Sequence, residues 1–382
     1  MEDLQKAIKE IFNFEYRDEP ETYITSSGRT EICGNHCDHQ HGMVIAAAID
    51  CNVLAAVKYR NDLKVRILSK GFPKVEMELD NLDLRAEEYG TTAALVRGIA
   101  RVYQQNNIKL RGFDAVVISD VPAGSGLSSS AAFEVLIGRI LSDNQDPVFV
   151  AKAGQYAENV YFNKPSGLMD QIACSVGGLV FMDLKNQENP VVERIETDFD
   201  SFGYKICLVN TGGSHANLTD HYARIPKDMA SVANYFGKEY LRDVDPHDFY
   251  NSISKMRESV SDRAILRSMH FFDEEKRVLA CKEALANKDF NLFLRIINTS
   301  GVSSWRLLQN VTALDPDADQ SLALALTLSS KFLNGKGAVR VHGGGFAGTI
   351  QAFVPNDMVN EYADRMNEVF GKDACIIANI SK

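Results

Sequence analysis

Hydrophobic positions along the chain switch repeatedly between a helical and a strand period. "MEDLQKAIKEIFNFEY" (1–16) alternates charged and apolar residues at helical spacing and has no continuous apolar core. It predicts an amphipathic helix, not a signal peptide. "MVIAAAIDCNVLAAVKYRNDLKVRILS" (43–69) is rich in Val, Ile and Ala and broken at Asn61-Asp62, so two or three strands buried partly on both faces are expected. Helical periodicity returns in "EEYGTTAALVRGIARVYQQNN" (87–107), and "FDAVVISD" (113–120) reads as a short buried strand. A glycine-serine loop leads into the helical run "AAFEVLIGRILSD" (131–143). Asp146-Pro147 forms an N-cap and first helical position for a helix to about Tyr161. "NKPSG" (163–167) stops that helix and "LMDQIACSV" (168–176) starts another. A strand in "GYKICLVNTGG" (203–213) precedes a charged, helical region reaching about residue 335. "GAVRVHGGGFAGTIQAFVP" (337–355) reads strand, glycine turn, strand, and a helix and a strand follow.

A chain of 382 residues suggests two domains sharing a cleft. With no repeat or low-complexity linker to mark it, the boundary is expected near residues 200–206, giving units 1–205 and 206–382. The net charge of -10 argues against a nucleic-acid partner, since phosphate backbones demand clustered Lys and Arg. No apolar run approaches the ~20 residues a membrane span needs, so no membrane is expected. Seven cysteines, an odd number in a long chain, do not suggest a disulfide framework, and a reducing cytoplasm is the simplest home.

Two stretches carry chemistry. In "VPAGSGLSSSAAFEV" (121–135) a strand end, a glycine turn and three serines open a helix. Gly124 and Gly126 allow positive φ and close approach of a ligand to the backbone. The helix start then presents unpaired N–H groups and the positive end of its dipole, a geometry suited to phosphate. Ser128, Ser129 and Ser130 add hydroxyls for phosphate oxygens or a magnesium ion. No lysine follows the glycines, so this is not a Walker-type loop. A glycine turn with a serine N-cap is the bland alternative, but three serines and two alanines exceed what a cap needs. The second stretch, "GRTEICGNHCDHQHG" (28–42), crowds Cys33, Cys37, His36, His39 and His41 together. These could ligate zinc or could hydrogen-bond a small polar ligand; no second Cys/His pair elsewhere supports a structural zinc site.

The core "GLSSSAA" resembles the second motif of the GHMP kinases, the superfamily of galactokinase, homoserine kinase, mevalonate kinase and phosphomevalonate kinase. "VRVHGGGFAGTIQAFVP" (339–355) looks like its third motif, a glycine-rich turn at Gly343, Gly344 and Gly345 that supports the phosphate loop. "GRTEICGNHCDHQHG" looks like the galactokinase signature, and "QYAEN" (155–159) and "GLMDQ" (167–171) match that branch in order. The resemblance implies an α+β, two-domain GHMP kinase fold: an N-terminal domain like ribosomal protein S5, a C-terminal ferredoxin-like domain and an active site in the cleft between them. It implies an ATP-dependent sugar 1-kinase, most simply a galactokinase, with ATP as co-substrate and Mg2+ as cofactor; a monomer is the simplest expectation, and the sequence leaves an oligomer open. A galacturonate kinase, and a non-catalytic sensor of sugar and nucleotide, are the alternatives.

Carried onto this sequence, the resemblance makes Asp170 the proton acceptor and Arg29 its cationic partner. Asp170 follows Ser166-Gly167 closely enough to sit in the first turn of a helix, where the dipole favours its ionised form. Asn35, His36, Asp38, Gly167 and Tyr222 would meet the sugar. Gly124, Ser125, Gly126, Leu127, Ser128, Ser129 and Ser130 would hold ATP, and Ser130 with Glu158 would hold magnesium. Each has a plainer reading: a helix-start aspartate, a surface arginine, a solvated glutamate. The loop departs from the family's usual Glu-His-x-Asp-Tyr, having Asn35-His36-Cys37-Asp38-His39, with Gln40 after it as in the "DHQ" run of galacturonate kinases. The family's glutamate is directed to the C6 end of the sugar, so Asn35 is expected there without the negative charge. Arg306-Leu307-Leu308 replaces the usual Arg-Asp-Asp. Both changes bear on which sugar is bound.

Overall fold

A computed structural model describes residues 2–121, 126–142, 146–197, 199–212, 218–313 and 319–381. The amphipathic start is α1 (Glu2–Tyr16), which lays Ile8 and Phe12 over Leu54, Ala56, Val116 and Ile118. The next elements are β1 (Thr22–Cys33), β2 (Met43–Tyr59), β3 (Lys64–Ser69), β4 (Val75–Glu78), α2 (Thr92–Gln105) and β5 (Phe113–Ser119). Then come α3 (Ser129–Leu141), α4 (Pro147–Tyr156), α5 (Met169–Val176), β6 (Leu179–Asp183) and β7 (Val191–Ile195). The expected break at Asn61-Asp62 is present, but residues 43–59 form one 17-residue strand. Along one edge it pairs with β1 throughout, with register shifts between Ser27 and Arg29 and between Glu31 and Cys33, while on its other edge it pairs first with β6 and then with β5.

The first sheet has the order β4-β3-β5-β2-β6-β7 with β1 on the far side of β2, and only β3 and β5 run parallel. Asp146 caps α4 by accepting from the Val148 N–H, and Pro147 opens the helix, as the sequence predicts. The segment expected to continue that helix does so with a changed pitch: Ala157–Tyr161 is a π turn. Such turns favour functional sites, because the extra residue pushes side chains off the regular helical face.

After β7 the chain enters a second, antiparallel sheet of order β11-β8-β10-β9. Its strands are β8 (Tyr204–Asn210), β9 (Ala338–Val341), β10 (Thr349–Pro355) and β11 (Cys375–Ala378). The helices between and after them are α6 (Thr219–Tyr235), α7 (Pro246–Met256), α8 (Asp262–Ala286), α9 (Phe290–Ser303), α10 (Ser321–Leu333) and α11 (Val359–Phe370). A second π turn, Ser304–Leu308, extends α9. One face of this sheet packs on α10 and α11 through Val209, Val341, Ala325 and Tyr362. Its other face, with Ile206, Leu208 and Phe353, joins Phe293 and Ile297 of α9 in the core that also holds β1, β2 and α3. The two sheets therefore share one apolar interior. No described helix is long and apolar enough to cross a membrane.

One buried ion pair crosses that interior. Glu31 of β1 accepts from the Arg340 guanidinium of β9, and Arg340 Nη1 also donates to the Ile32 carbonyl at 2.7 Å. Arg340→Ala should destabilise the fold by about 3–5 kcal/mol, because it strands a buried carboxylate. Urea unfolding measures this; a loss below about 1 kcal/mol would mean that water or another cation replaces Arg340. Glu31→Gln combined with Arg340→Met should recover part of the loss.

Candidate active site

Residues of β1 alternate between faces, so Arg29 and Glu31 point the same way. Arg29 reaches across to α5, where its Nε and Nη2 each donate to a different oxygen of Asp170 at 2.6 Å. Its third arm donates from Nη1 to the Gly126 carbonyl of the glycine-serine loop. The same loop is pinned to β1 through the backbone, Arg29 N–H to Leu127 O at 3.1 Å. Gly28 permits this approach, since a Cβ there would lie 3.1 Å from that carbonyl. The expected pair is thus assembled, and both partners touch the loop.

Ser128 precedes the first turn of α3 with φ +56 and ψ +57 and makes no capping bond with its side chain. Its hydroxyl donates instead to Asp170 Oδ2. A left-handed serine that leaves its cap unmade is costly for helix entry, and here it serves the carboxylate. Gly126 has φ +73, the positive value expected of the loop. Gly124 and Ser125 lie outside the described residues. Burial pulls the Asp170 pKa upward, but the charge and hydrogen bonds of Arg29 and the Ser128 hydroxyl outweigh it and hold the carboxyl below its ordinary value. Asp170 is ionised at neutral pH.

The cysteine-histidine loop turns through a short 3-10 helix, Asp38–Gln40, directly after β1 and the Gly34–Cys37 bend. Burial, with repulsion from Asp170 and Glu31, raises the Asp38 carboxyl to about 7. Gly167 packs on it so closely that a Cβ at 167 would lie 2.0 Å from Asp38 Oδ2. His36 and His39 form a neutral relay. Gln40 Nε2 faces His39 Nδ1 at 3.4 Å, His39 Nε2 faces His36 Nδ1 at 3.1 Å, and His36 Nε2 reaches the Gly344 carbonyl at 3.1 Å. Every contact is satisfied if each ring carries its proton on Nε2. Burial lowers His36 to about 4 and holds His39 well below the ordinary histidine value. Tyr222 donates to the Gly345 carbonyl at 2.7 Å, and its ring occupies the space a Cβ on Gly344 would fill. The glycine-rich turn at 343–345 is therefore held from both sides.

Asn35 does something other than expected. Its side chain is 0% exposed, and its Nδ2 donates to Gly343 O at 2.8 Å while facing both Glu31 oxygens at 3.3 Å. Its Oδ1 accepts from Asn310 Nδ2 at 2.9 Å and Ser304 Oγ at 3.3 Å. The amide points into the protein and joins β1 to the glycine turn, leaving no free donor for a C6 group. The cysteines and histidines of the loop do not gather as metal ligands either. Cys33 faces Glu274, Cys37 faces the Asn35 carbonyl, and the one His/Asp cluster of metal-binding size among the described residues is elsewhere, at Asp245, His247 and Asp248.

Glu158 sits on the first π turn, with its Oε1 at 3.4 Å from Ser130 Oγ. Lys164, 58% exposed at its side chain, donates to the same oxygen at 2.7 Å. Gln171 Nε2 bridges Glu158 Oε2 and Glu134 Oε2, each at 3.0 Å, and burial beside Glu158 pushes the Glu134 carboxyl well above the ordinary carboxylate range. A hydroxyl and a carboxylate side by side, with the Lys164 ammonium on the same carboxylate oxygen, are a ligand pair that fits a magnesium ion retaining waters. Beside Ser129 and Ser130 opens a cavity of about 250 Å³ lined by Phe72, Leu95, Val117, Phe133 and Phe162. Neither this cavity nor Lys164, Glu134 and Gln171 was singled out in the sequence. The cavity walls come from separate elements and leave no local signal; Lys164 stood in the open, as the one cation within "NKPSG".

Residues 94–178 match the model of the GHMP kinases N terminal domain, and residues 10–59 match the galactokinase galactose-binding signature. Among solved structures, the chain is similar to Lactococcus lactis galactokinase complexed with galactose, with a TM-score of 0.85 at 23% identity over 99% of this chain and 98% of that one. It is also similar to the Methanococcus jannaschii mevalonate kinase, with a TM-score of 0.66 at 15% identity over 94% and 98%. Streptococcus pneumoniae phosphomevalonate kinase, in complex with phosphomevalonate and AMPPNP, gives 0.63 at 11% identity over 93% and 98%. At these identities the structural likenesses speak for the α+β fold, which is the one expected, and the two segment matches speak for residues 94–178 and 10–59. Two segments of the chain thus resemble the GHMP kinases and the galactokinase signature, and the whole chain shares its fold with a galactokinase.

Proposed function

We propose that this chain is an ATP-dependent sugar 1-kinase acting on galactose, with units 1–205 and 206–382 forming its cleft. The observation that carries the reading is the Arg29–Asp170 pair, which binds the carboxylate at one end and the glycine-serine loop at the other. A sugar hydroxyl placed against Asp170 can lose its proton to an ionised carboxylate as it attacks the γ-phosphoryl group of ATP. Because Asp170 is held low, it is a weak base, and proton transfer comes late, when the attacking oxygen has become acidic. Arg29 keeps the carboxylate ionised and adds fixed positive charge beside the transferring group. Gly126, Leu127, Ser128, Ser129 and Ser130, with Gly124 and Ser125, take the phosphates at the start of α3. The apolar cavity beside Ser129 takes the adenine.

Ser130 and Glu158 would hold magnesium, which supplies neutralisation of phosphate charge when bound. Lys164 then holds Glu158 in position until the nucleotide arrives. Asp38, Gly167, His36 and Tyr222 shape the sugar side, and the reducing cytoplasm suits the seven free cysteines. Galactose is favoured over galacturonate because nothing cationic is added in the loop: His36 and His39 are neutral, and Asn35 faces inward. An intact pair of Arg29 and Asp170 favours turnover over a purely sensing role. The test is ADP release with galactose, galacturonate, glucuronate, N-acetylgalactosamine and glucose. Release with galacturonate above galactose would overturn the substrate assignment, and release with none of them would overturn the kinase.

Asp170→Asn should keep the fold and nucleotide affinity and lose about 10²–10⁴-fold in kcat, the usual contribution of a positioned base. Turnover near wild type would assign the proton to another group. Gly126→Val should weaken ATP binding with little effect on sugar binding, because a β-branched residue resists φ +73 and blocks approach to the loop. Calorimetric titration with each ligand separates the two effects, and equal losses for both would count against the cradle.

The Asp38 carboxyl gives a pH signature. Its pKa of about 7 lies above the ~3.9 of an unfolded aspartate, so folding favours the protonated form. The stability this contributes is complete below pH ~4 and lost as pH rises through about 7. Asp38→Asn should therefore gain thermal stability over wild type progressively from pH 4 to pH 8, while losing sugar affinity. A difference that does not vary with pH would show that Asp38 titrates normally.

A further inference from the structure

His342 lies between β9 and the glycine turn, is 2% exposed, and plays no part in the chemistry above. Its Nε2 accepts the backbone N–H of Glu31 at 3.3 Å. Burial, together with Arg29 and Arg340 nearby, pushes its pKa well below the ordinary histidine value, so the ring is neutral. A neutral ring that accepts at Nε2 must carry its proton on Nδ1. That Nδ1 is buried and has no hydrogen-bond partner among the described residues. An unpaired buried donor is expensive, at roughly 1–3 kcal/mol, and needs a reason.

The direction of the donor supplies one. A Cβ built on Gly126 would lie 3.3 Å from His342 Nδ1 and 3.7 Å from the Cε1 of the same ring. The donor therefore faces the loop at the residue whose carbonyl Arg29 holds. Glu31 fixes the tautomer from behind, and Arg29 stands to the side. Of the charges that act on the ring, Arg29 and Arg340 oppose protonation and Asp170 favours it.

We infer that His342 is a positioning residue for phosphoryl transfer, whose Nδ1–H is reserved for a phosphate oxygen of ATP bound in the glycine-serine loop. The pairing rests on the kinase reading given above. It adds a neutral donor where Arg29 adds a charged one, so it orients the phosphate chain without altering the charge that keeps Asp170 ionised.

Two variants separate this role from a merely structural one. An Asn amide places a donor near Nδ1 but nothing at Nε2, whereas a Gln amide reaches the Nε2 position and can still accept from Glu31. His342→Asn should keep kcat within about threefold of wild type, and His342→Gln should lose about 10-fold or more in kcat/KM for ATP with the KM for sugar unchanged. The reverse order would show that the acceptor at Nε2 is what matters, and would overturn the inference. Nitrogen-15 NMR of labelled histidine gives a second readout: the wild-type Nδ1–H signal should be present in the free protein and shift on adding a non-hydrolysable ATP analogue. A proton on Nε2, or a signal the analogue does not move, would also overturn it. Failure of the wild type to bind the analogue would instead remove the kinase reading itself.

Discussion

Two alternate residues of one strand, Arg29 and Glu31, set the electrostatic frame of the molecule. They project from the same side of β1 with opposite charges, and each finds its partner in a different part of the chain: Asp170 at the start of α5 and Arg340 on β9. Neither charge could stay in the interior alone, since an unpaired ion there costs several kcal/mol. The strand therefore cannot shift by one residue without stranding both pairs. Placement of α5, of the glycine-serine loop and of the second sheet all refer back to this one stretch of backbone.

Around that frame the site keeps its remaining groups neutral. Glu134 and Asp38 are pushed toward their protonated forms, and His36, His39, His270 and His342 toward their unprotonated ones, each chiefly by burial. Hydrogen bonds among such groups have direction but add little to the field. The proposed chemistry then depends on few charges, Arg29, Asp170, Glu158 and Lys164, whose positions are fixed by many uncharged neighbours. Such an arrangement is consistent with electrostatic preorganisation, in which dipoles are oriented before the substrate arrives.

What could be read from the sequence was local. The Asp146-Pro147 cap, the helix start at Asp170, the positive φ of Gly126 and the meeting of Arg29 with Asp170 follow from short segments or from family resemblance to them. Asn35 did not follow, because its orientation is set by Glu31, Asn310, Ser304 and Gly343, and three of these lie more than 260 residues away. No property of "GNHCDH" shows that a buried acceptor will come from the far end of the chain. Ser128 was ambiguous for a related reason. A serine before a helix looks like a cap until its hydroxyl is seen to point at Asp170. The single long β2 was also hidden, since Asp50-Cys51-Asn52 looks like an interruption when only one of its two edges changes partner.

The two π turns have a consequence for how this chain can be compared with others. Each adds one residue to a helix without breaking it, and each stands just before a functional segment: Ala157–Tyr161 ahead of Lys164, Ser304–Leu308 ahead of Asn310. If a relative has a regular helix at the same place, counting positions straight through will slip by one residue beyond the turn. Lys164 or Asn310 would then be equated with a neighbour that points a third of a turn away. Transfers of residue roles across these helices should be anchored on side-chain direction in space, with a gap placed inside the helix where a gap is ordinarily forbidden.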